Sequence, residues 1–565
     1  MSDILSKLSQ RSDEHEFYSP VPKDYKPGKT KYIIITGSVI SGVGKGTFTS
    51  SLAALLKFNG LKVSPIKFDG YLNYDAGTLN PYRHGEVFVL SDGTECDLDL
   101  GSYERFTNET LTRNNYLTSG KIFKDIIDRE RAGKYLGRDV QVIPHVTGEA
   151  KRFLRNLAIS SEADVVILEV GGTIGDLENS YFIEAMRELA YEEGKENVCF
   201  VNVTYILQPS SLGEHKSKAA QLGLRTLMAL GIQPDIVVCR SNTPVNDKVR
   251  EKVSVFANVK MEHVINITNI ENMYSIPLEL KRLEIDKAIL ERLGLKPKKN
   301  GDKDFNVENW EGLVDKFNNL KEEIKIAVVG KYTFVHDSYL SIIKALEHCS
   351  MNLGIKVKIK WVESTEIEDN KITPEEAFKD VQGIIVPGGF GKRGIEGKIA
   401  SVKYARENNI PFLGLCLGFQ MAVIEFARNV LELRDAHSSE IEKGTTNPVI
   451  HIMESQKDIT QLGGNMRLGS YPAVLKEGTK IHNLYGKTEV SERHRHRYEV
   501  NPKYIGQIEE KGMIFSGKSP NGLLMEFLEL KDHKCFIATQ AHPEFTSRPL
   551  SPNPLFMGLV KAAIK

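Results

Sequence analysis

The chain has 565 residues and a mass of 63.3 kDa, which is enough for two or three α/β domains. Hydrophobic residues make up 41% and charged residues 26%, which excludes a mainly disordered, collagen-like or coiled-coil chain. Lys plus Arg and Asp plus Glu both number 74, so the net charge of zero gives no general basic surplus for nucleic acid.

Cysteine usage and hydropathy predict a cytoplasmic protein with no membrane partner. Six cysteines lie far apart without a C-x-x-C pair, so neither a disulfide scaffold nor a zinc site is indicated. No apolar run approaches the ~18 residues that a membrane helix needs. The N-terminus lacks the apolar core of a signal peptide.

Along the chain, residues 1–30 are polar and proline-containing, and we predict an N-terminal extension. Short apolar runs then alternate with helical patterns, which predicts a parallel sheet covered on both faces. The predicted strands are 32–36, 164–170, 200–207 and 235–239, and the predicted helices are 46–58 and 213–230.

Residues 296–321 are predicted to be a linker, because 296–304 contain no apolar residue beyond a proline. The alternation restarts afterwards, with strands 324–330, 383–387, 411–415 and 535–539 and helices 339–353 and 419–427. We therefore predict two doubly wound α/β domains with mainly parallel sheets. They span residues 31–295 and 322–565, and the first is P-loop-like.

A glycine-rich turn joins the first predicted strand to the first helix. Such a turn can point backbone N–H groups, a helix N-terminus and a lysine at phosphate oxygens. The strict P-loop pattern fails, because Val39 takes the first glycine position and Gly46 follows Lys45. A simple helix-capping turn is the alternative. We favour phosphate binding, through Ser41, Gly42, Val43, Gly44, Lys45, Gly46 and Thr47.

Two acidic residues are the candidate magnesium ligands. Asp75 lies in a turn, and Glu169 ends the apolar run 164–170, where a carboxylate would face the ligand crevice of a parallel sheet. Mg²⁺ takes one or two carboxylates together with phosphate oxygens and water. A plain turn aspartate is the alternative at Asp75, whereas an unpaired acid at Glu169 would be costly.

Cys416 lies in the sequence Gly-Leu-Cys-Leu-Gly between a strand and a helix, the pattern of a nucleophile elbow. The helix N-terminus would lower the pKa of its thiol and offer N–H groups to an oxyanion. His542 and Glu544 follow another strand and could take and orient the proton. A buried core cysteine is the alternative. The three residues together favour catalysis.

The basic run 493–497, Arg-His-Arg-His-Arg, has several interpretations. Alone it suggests a nucleic-acid or heparin patch, or a metal site through His494 and His496. The balanced net charge and the folded flanks favour a solvated or substrate-facing loop.

Several long motifs make residues 31–565 resemble the CTP synthase family, and residues 322–565 resemble a class I glutamine amidotransferase. The motifs lie at 69–78, 84–89, 97–101, 169–176 and 492–499. The resemblance implies a ligase of pyrimidine biosynthesis that makes CTP from UTP, ATP and glutamine through a 4-phosphorylated UTP. It implies Mg²⁺ as cofactor, GTP as activator and CTP as inhibitor. A homotetramer, with possible filaments, is the implied assembly.

The resemblance also implies nucleotide sites in the first domain. Two departures from the family pattern are Ser38, where the family has Gly, and Ala219-Ala220, where it has Pro-Thr. The implied UTP and CTP residues are Ser38, Lys216, Lys218 and Gln221. The implied CTP feedback residues are Asp176, Leu177, Glu178 and Arg187. His145 is placed on the ammonia path.

In the second domain the resemblance implies that N–H groups of Gly389 and Leu417 stabilise the oxyanion. Gln420, Glu440 and Arg497 would hold the amino-acid part of glutamine, and Arg393 would belong to a GTP lid. Two rival interpretations remain. One is another ATP-dependent amidoligase fused to an amidotransferase, such as a cobyrinate-type enzyme. The other is a nonenzymatic filament or scaffold protein.

Overall fold

The computed structural model describes residues 18, 20–209, 213–299, 302–331, 333–453 and 466–564. The predicted extension therefore lies outside the described residues except at Tyr18 and 20–30. The chain forms two compact units. Unit 1 comprises Met1–Asp75 with Ser102–Glu311, and unit 2 comprises Ala76–Gly101 with Gly312–Lys565.

Unit 1 is built on a seven-stranded sheet in which every neighbouring pair is parallel. Its β-branched, apolar strands are buried on both faces, which is why the sequence shows continuous apolar runs rather than alternation. In spatial order the strands are Tyr116–Thr118, Val63–Asp69, Val165–Val170, Lys31–Gly37, Val198–Tyr205, Ile236–Ser241 and Val264–Thr268. The predicted parallel α/β fold is confirmed.

Helices flank both faces of this sheet and bury its apolar side chains. They are Lys45–Phe58, Ser119–Arg131, Thr147–Ser160, Ser180–Glu193, Lys218–Ala229, Asp247–Ala257, Ile276–Arg282 and Ile285–Arg292. The helices Leu98–Thr107 and Val307–Asn318 each contain a point where the chain passes from one unit to the other. The predicted linker 296–321 includes the second of these helices.

Unit 2 has a nine-stranded mixed sheet. One half pairs in parallel and carries the sites discussed below, while the other half is an antiparallel extension. In spatial order the strands are Ile355–Glu363, Glu322–Gly330, Gly383–Val386, Phe412–Leu415, Phe536–Thr539, Met525–Leu530, Met513–Lys518, Arg467–Leu475 and Glu489–His496. This second α/β fold is also as predicted, with the antiparallel half as an addition.

Helices and two small sheets complete unit 2. The small sheets join His437–Ser438, Pro448–Ile452 and Tyr498–Val500, and pair Phe88–Val89 with Glu95–Cys96. The helices are Pro81–His84, Leu340–Leu353, Ser364–Glu368, Pro374–Phe378, Ile395–Glu407, Leu417–Asn429, Lys480–Tyr485, Pro502–Glu510 and Pro554–Ile564. Two apolar cores lie on the two faces of the nine-stranded sheet.

The prediction of a loop at 493–497 is wrong, because most of this run lies in a strand, but Arg495, His496 and Arg497 do line a cavity of unit 2. Residues Glu489–His496 form a strand, and Arg493, His494 and His496 are all buried. Burial is possible because these polar groups have hydrogen-bond partners. Arg493 donates to the Val89 carbonyl oxygen, and Nδ1 of His494 lies 2.9 Å from Nε2 of His496. Among the described residues, no group of three or more side chains is arranged to hold a metal ion there or elsewhere.

Within the described ranges, none of the helices combines the length and the apolar character that crossing a membrane requires.

Candidate active sites

The turn 38–44 of unit 1 has an unusual backbone. Val39, Gly42 and Gly44 have φ angles of 80°, 70° and 93°. These left-handed values turn the chain so that it enters the helix Lys45–Phe58 without a capping side chain at Gly44. Uncapped N–H groups at a helix start suit an anion such as phosphate.

Lys45 is held down against the sheet. Its Nζ donates to the Gly172 carbonyl oxygen at 2.6 Å, and the side chain is buried. A Cβ on Gly37 would lie 2.9 Å from Cδ of Lys45, so a larger residue there would displace the lysine side chain. The close approach of Lys45 therefore accounts for a glycine at the last position of the strand Lys31–Gly37.

Arg240 is a cation beside this turn that the sequence analysis did not identify. It lies in the strand Ile236–Ser241 and its Nε is 3.2 Å from where a Cβ on Gly44 would be. Its guanidinium donates to the carbonyl oxygens of Ile267 and Thr268, which fixes its orientation. The available signal was an arginine directly after a predicted apolar strand.

The two candidate magnesium ligands have different surroundings. Glu169 is buried in its strand and accepts a hydrogen bond from the Tyr103 hydroxyl. Asp75 is half-buried in a turn. A metal at such residues would need phosphate oxygens and water to complete its shell, as is usual for Mg²⁺.

The residues implied for UTP and CTP differ in their exposure to solvent. Ser38 is fully buried, with its hydroxyl on Asn202 Oδ1 at 3.0 Å and its N–H on the Val203 carbonyl oxygen. Lys216 and Lys218 are exposed at the start of the helix Lys218–Ala229, which forms although the family proline is missing.

The remaining implied positions lie farther along the chain. Gln221, one turn into that helix, contacts Ser217. The implied feedback residues are Asp176, Leu177, Glu178 and Arg187. The first three lie at or next to the short helix Leu177–Asn179, and Arg187 pairs with Glu184.

His145 lies in unit 1 beneath the visible part of the N-terminal extension. Its ring stacks on Tyr18 with a centroid distance of 4.9 Å and meets Tyr135 edge-on. Burial lowers the pKa of His145 below its usual range, so its neutral form is favoured.

Cys416 in unit 2 has the strained backbone of a nucleophile elbow. Its φ is 48° and its ψ is −98°, directly between the strand Phe412–Leu415 and the helix Leu417–Asn429. The helix packs so closely on the neighbouring strand end that a Cβ on Gly418 would overlap the Val386 carbonyl oxygen. Strain of this kind persists only where the surroundings impose it.

Cys416 opens into a cavity of 420 Å³. All five residues implied for glutamine line this cavity with it: Gly389, Leu417, Gln420, Glu440 and Arg497. Burial raises the pKa of the Glu440 carboxyl, although the positive charges of Arg497 and Lys331 oppose that shift. The cavity thus offers a carboxylate and a guanidinium, the groups that match an ammonium and a carboxylate.

His542 and Glu544 line a second cavity of 220 Å³ that also reaches Cys416. Nδ1 of His542 lies 2.6 Å from Oε1 of Glu544. Burial alone would lower the pKa of His542, but the negative charges of Glu544 and Cys416 raise it to about 10. The charged imidazolium is therefore favoured beside the sulfur.

Lys398 is a second cation near the sulfur that the sequence analysis missed. It is buried on the helix Ile395–Glu407, with Nζ 3.4 Å from the Pro387 carbonyl oxygen. Burial, and to a lesser degree Lys331, lowers the pKa of Lys398 to about 7. The sequence analysis predicted no helix over these residues, so no local signal set Lys398 apart from other lysines.

Arg393 lies apart from these groups. It stands between Gly391 and Gly394, both with positive φ, and its guanidinium is 3.7 Å from Glu363. Its side chain is mostly exposed.

Comparison with known proteins gives one consistent result. The family model described as CTP synthase N-terminus matches residues 31–295, and the model described as glutamine amidotransferase class-I matches residues 334–562. The CTP synthase of Pyrococcus abyssi is 50% identical over 535 residues, 94% of this chain and 98% of that protein. The glutaminase domain of Trypanosoma brucei CTPS with bound acivicin is 37% identical over 43% of this chain and 94% of that domain, with a TM-score of 0.40. The CTP synthase of Saccharolobus solfataricus is 48% identical over 94% of this chain and 99% of that protein.

Proposed function

This chain belongs to the CTP synthase family, and we propose that its two units divide the family's reaction between them. The enzyme forms CTP from UTP, with ATP and glutamine as its other substrates. In our proposal unit 2 releases ammonia from glutamine, and unit 1 uses ATP to activate UTP. The observation that carries the proposal is the cavity that Cys416 shares with the five glutamine-binding candidates.

The glutamine reaction begins with the Cys416 thiolate, which the His542 imidazolium stabilises. Its sulfur attacks the side-chain amide carbon of glutamine, and the N–H groups of Gly389 and Leu417 hold the oxyanion. The C–N bond breaks as His542 gives its proton to the leaving nitrogen, so ammonia departs and a thioester remains. Water then hydrolyses the thioester, with His542 as the base, and glutamate is released.

The second half-reaction belongs to the turn 38–44 and Lys45. The carbonyl O4 of UTP is a poor leaving group, and phosphorylation by ATP makes it a good one. Ammonia then displaces phosphate at C4. The helix N-terminus and Lys45 would hold ATP phosphates, and Arg240 would add charge at Gly44. Ser41, Gly42, Val43, Gly46 and Thr47 complete the proposed phosphate site.

Mg²⁺ belongs to this proposal, with Glu169 and Asp75 as its protein ligands. These two carboxylates would hold the ion, and its positive charge would assist phosphoryl transfer. Asp75→Asn should remove the Mg²⁺ dependence of the ammonia reaction. Asp99→Asn is the comparison variant, because Asp99 lies one helical turn before Tyr103, whose hydroxyl donates to Glu169. If Asp99→Asn rather than Asp75→Asn removed the Mg²⁺ dependence of the ammonia reaction, the assignment of Asp75 would be wrong.

The regulatory sites and the nucleotide contacts also remain proposals. We propose GTP activation through the Arg393 segment, because its mostly exposed guanidinium lies between two glycines, Gly391 and Gly394. CTP would inhibit by binding at Asp176, Leu177, Glu178 and Arg187. Ser38, Lys216, Lys218 and Gln221 would contact UTP, and His145 would lie on the ammonia path. A cytoplasmic homotetramer completes the proposal.

The division of labour is tested by two substitutions and two nitrogen sources. Cys416→Ala should lower CTP formation from glutamine by ~10³-fold or more, because the nucleophile is lost. Its rate with ammonium chloride should stay near that of the unaltered enzyme. Lys45→Ala should lose both rates, because UTP is no longer activated.

The measurement is the initial rate of CTP formation with saturating glutamine, with and without GTP, and with ammonia. Cys349→Ala, at another buried cysteine, is the control and should change neither rate. If Cys416→Ala were equally inactive with ammonia, or Lys45→Ala retained activity with it, the two-site assignment would be overturned.

A further inference from the structure

Gln540 places a neutral hydrogen-bond donor against the sulfur of Cys416. It directly follows the strand Phe536–Thr539 and has no exposed surface. Its Nε2 lies 3.8 Å from Sγ of Cys416 in donor geometry. The backbone N–H of Gln540 donates to the Glu526 carbonyl oxygen at 2.9 Å, which anchors the residue at the end of the sheet.

The orientation of this amide is fixed by a second glutamine. Nε2 of Gln420 donates to the Tyr498 carbonyl oxygen at 3.1 Å and to Oε1 of Gln540 at 3.3 Å. A backbone carbonyl can only accept a hydrogen bond, so the NH₂ end of Gln420 must face Tyr498. Oε1 of Gln540 then faces that NH₂ group, and its own NH₂ end is left to face the sulfur.

We propose that Gln540 is a further catalytic residue of glutamine hydrolysis, whose N–H donates to the Cys416 sulfur, and that Gln420 is the positioning residue that aims it. This inference rests on the proposed function of Cys416 as the nucleophile. A donor aimed at sulfur stabilises the thiolate more than the thiol, so more thiolate is present at neutral pH. The bond is released when the sulfur loses its charge in the thioester.

The chemistry explains why a neutral donor is useful at this position. The Arg495 carbonyl oxygen lies 3.8 Å from the same sulfur and disfavours negative charge there. A cation in place of Gln540 would compete with His542 for the negative charge of the thiolate. A neutral amide instead offers only its N–H dipole and does not titrate. The charged groups around the sulfur are His542, Glu544, Lys398, Lys331, Glu440, Arg495 and Arg497.

The test uses Gln540→Met, which keeps length and volume but removes the donor. The rate of Cys416 alkylation by iodoacetamide is followed from pH 5 to 10, with the modified peptide identified by mass. We expect the midpoint of this profile to move upward by roughly one pH unit. The kcat of glutamine hydrolysis at pH 7 should fall about 10-fold with little change in KM for glutamine. CTP formation from ammonia should not change.

Three further variants make the result decisive. Gln540→Glu keeps the shape and reverses the local charge, so its profile should move upward by more than that of Gln540→Met. Gln420→Met should cause a smaller upward shift of the alkylation midpoint, because the Gln540 amide can then rotate and point its oxygen instead of its NH₂ group at the sulfur. Gln507→Met, at an exposed glutamine of unit 2, should leave the profile unchanged.

An unshifted alkylation profile in Gln540→Met or Gln540→Glu would overturn the inference, even if kcat fell, because a purely structural defect does not move the thiol titration. If Gln540→Met lost its ammonia-dependent activity, the Gln540→Glu profile would decide instead. Failure of the proposed function looks different: Cys416→Ala would then retain glutamine-dependent CTP formation.

Discussion

His542 keeps its proton because two neighbouring negative charges outweigh burial. Glu544 contacts Nδ1 at 2.6 Å, and the Cys416 sulfur lies on its other side. A cysteine nucleophile attacks as its thiolate, and a neighbouring imidazolium favours that form. In the proposed reaction, His542 is the residue that gives its proton to the leaving nitrogen.

Lys398 differs from His542, because no strong negative charge offsets the effect of burial on its pKa. With its pKa lowered to about 7 from an unfolded value of 10.5, folding releases a proton between these pH values. The unfolded chain then binds more protons than the folded chain. The free energy of unfolding therefore rises with pH between these two pKa values. Below pH 7 the full cost of a buried ammonium is present.

Lys398→Met should therefore stabilise unit 2 at pH 6.5 by an amount on the order of 3 kcal/mol, and by much less at pH 9.5. Thermal unfolding of the full chain at both pH values measures the difference. Lys403→Met, at an exposed lysine of the same helix, should show no such pH-dependent gain. An equal loss of stability at both pH values would contradict the argument.

At the scale of elements, the turn 38–44 places a β-branched residue, Val39, in a left-handed backbone conformation. Its φ at Val39 is 80°, a value that a β-branched side chain adopts only under strain. Gly42 and Gly44 adopt similar values without that cost. The sequence showed Val39 as a departure from the P-loop pattern, and the structure retains the turn in spite of it.

Val39→Gly should raise the stability of unit 1 by about 1 kcal/mol, because relief of the strain outweighs the added freedom of the unfolded chain. Thermal unfolding of the full chain is the measurement, and the KM for ATP in the ammonia reaction should remain similar. Val39→Ala is the control, since alanine still carries a Cβ at this φ. A larger gain for alanine than for glycine would show that backbone strain is not the cause.

The strand Glu489–His496 shows why an element can be misjudged from its own residues. Half of its residues are Glu or Arg, which would suggest exposure to solvent. Glu492 is nevertheless buried, and it accepts hydrogen bonds from Tyr485, Thr546 and Asn553. These partners come from other parts of the chain, so no local pattern of hydropathy reveals them. A solvated or substrate-facing loop was predicted at 493–497 from the balanced net charge and the folded flanks, whereas the partners that allow a charge to be buried depend on the fold.

At the scale of the whole molecule, the proposed homotetramer concerns the stretches 105–136 and 152–157 of unit 1. They include the helix Ser119–Arg131 and part of the helix Thr147–Ser160. Ile127 is 58% exposed on the first of these helices, although its chemistry favours burial. An interface between copies of the chain would cover it.

We therefore expect Ile127→Glu to shift the assembly with ATP and UTP from a tetramer toward smaller species. Light scattering at micromolar concentration measures the mass. Tyr191→Glu is the matched control, because Tyr191 is 86% exposed but lies outside these stretches, and it should leave the mass unchanged. A monomer formed by the unaltered protein under these conditions would refute the tetramer.

The two α/β folds, the strand-to-helix turns and the family could be predicted from the residues alone, because these features depend on local runs of residues. The run 32–36 predicted a buried strand, and Gly-Leu-Cys-Leu-Gly predicted the elbow that the φ of Cys416 now displays. Only the tertiary structure brought Gln540 to the sulfur, 124 residues along the chain from Cys416, and buried Lys398 behind the Pro387 carbonyl. The physical reason is that turns and strands are encoded by neighbours in sequence, whereas hydrogen bonds and burial depend on which distant segments pack together.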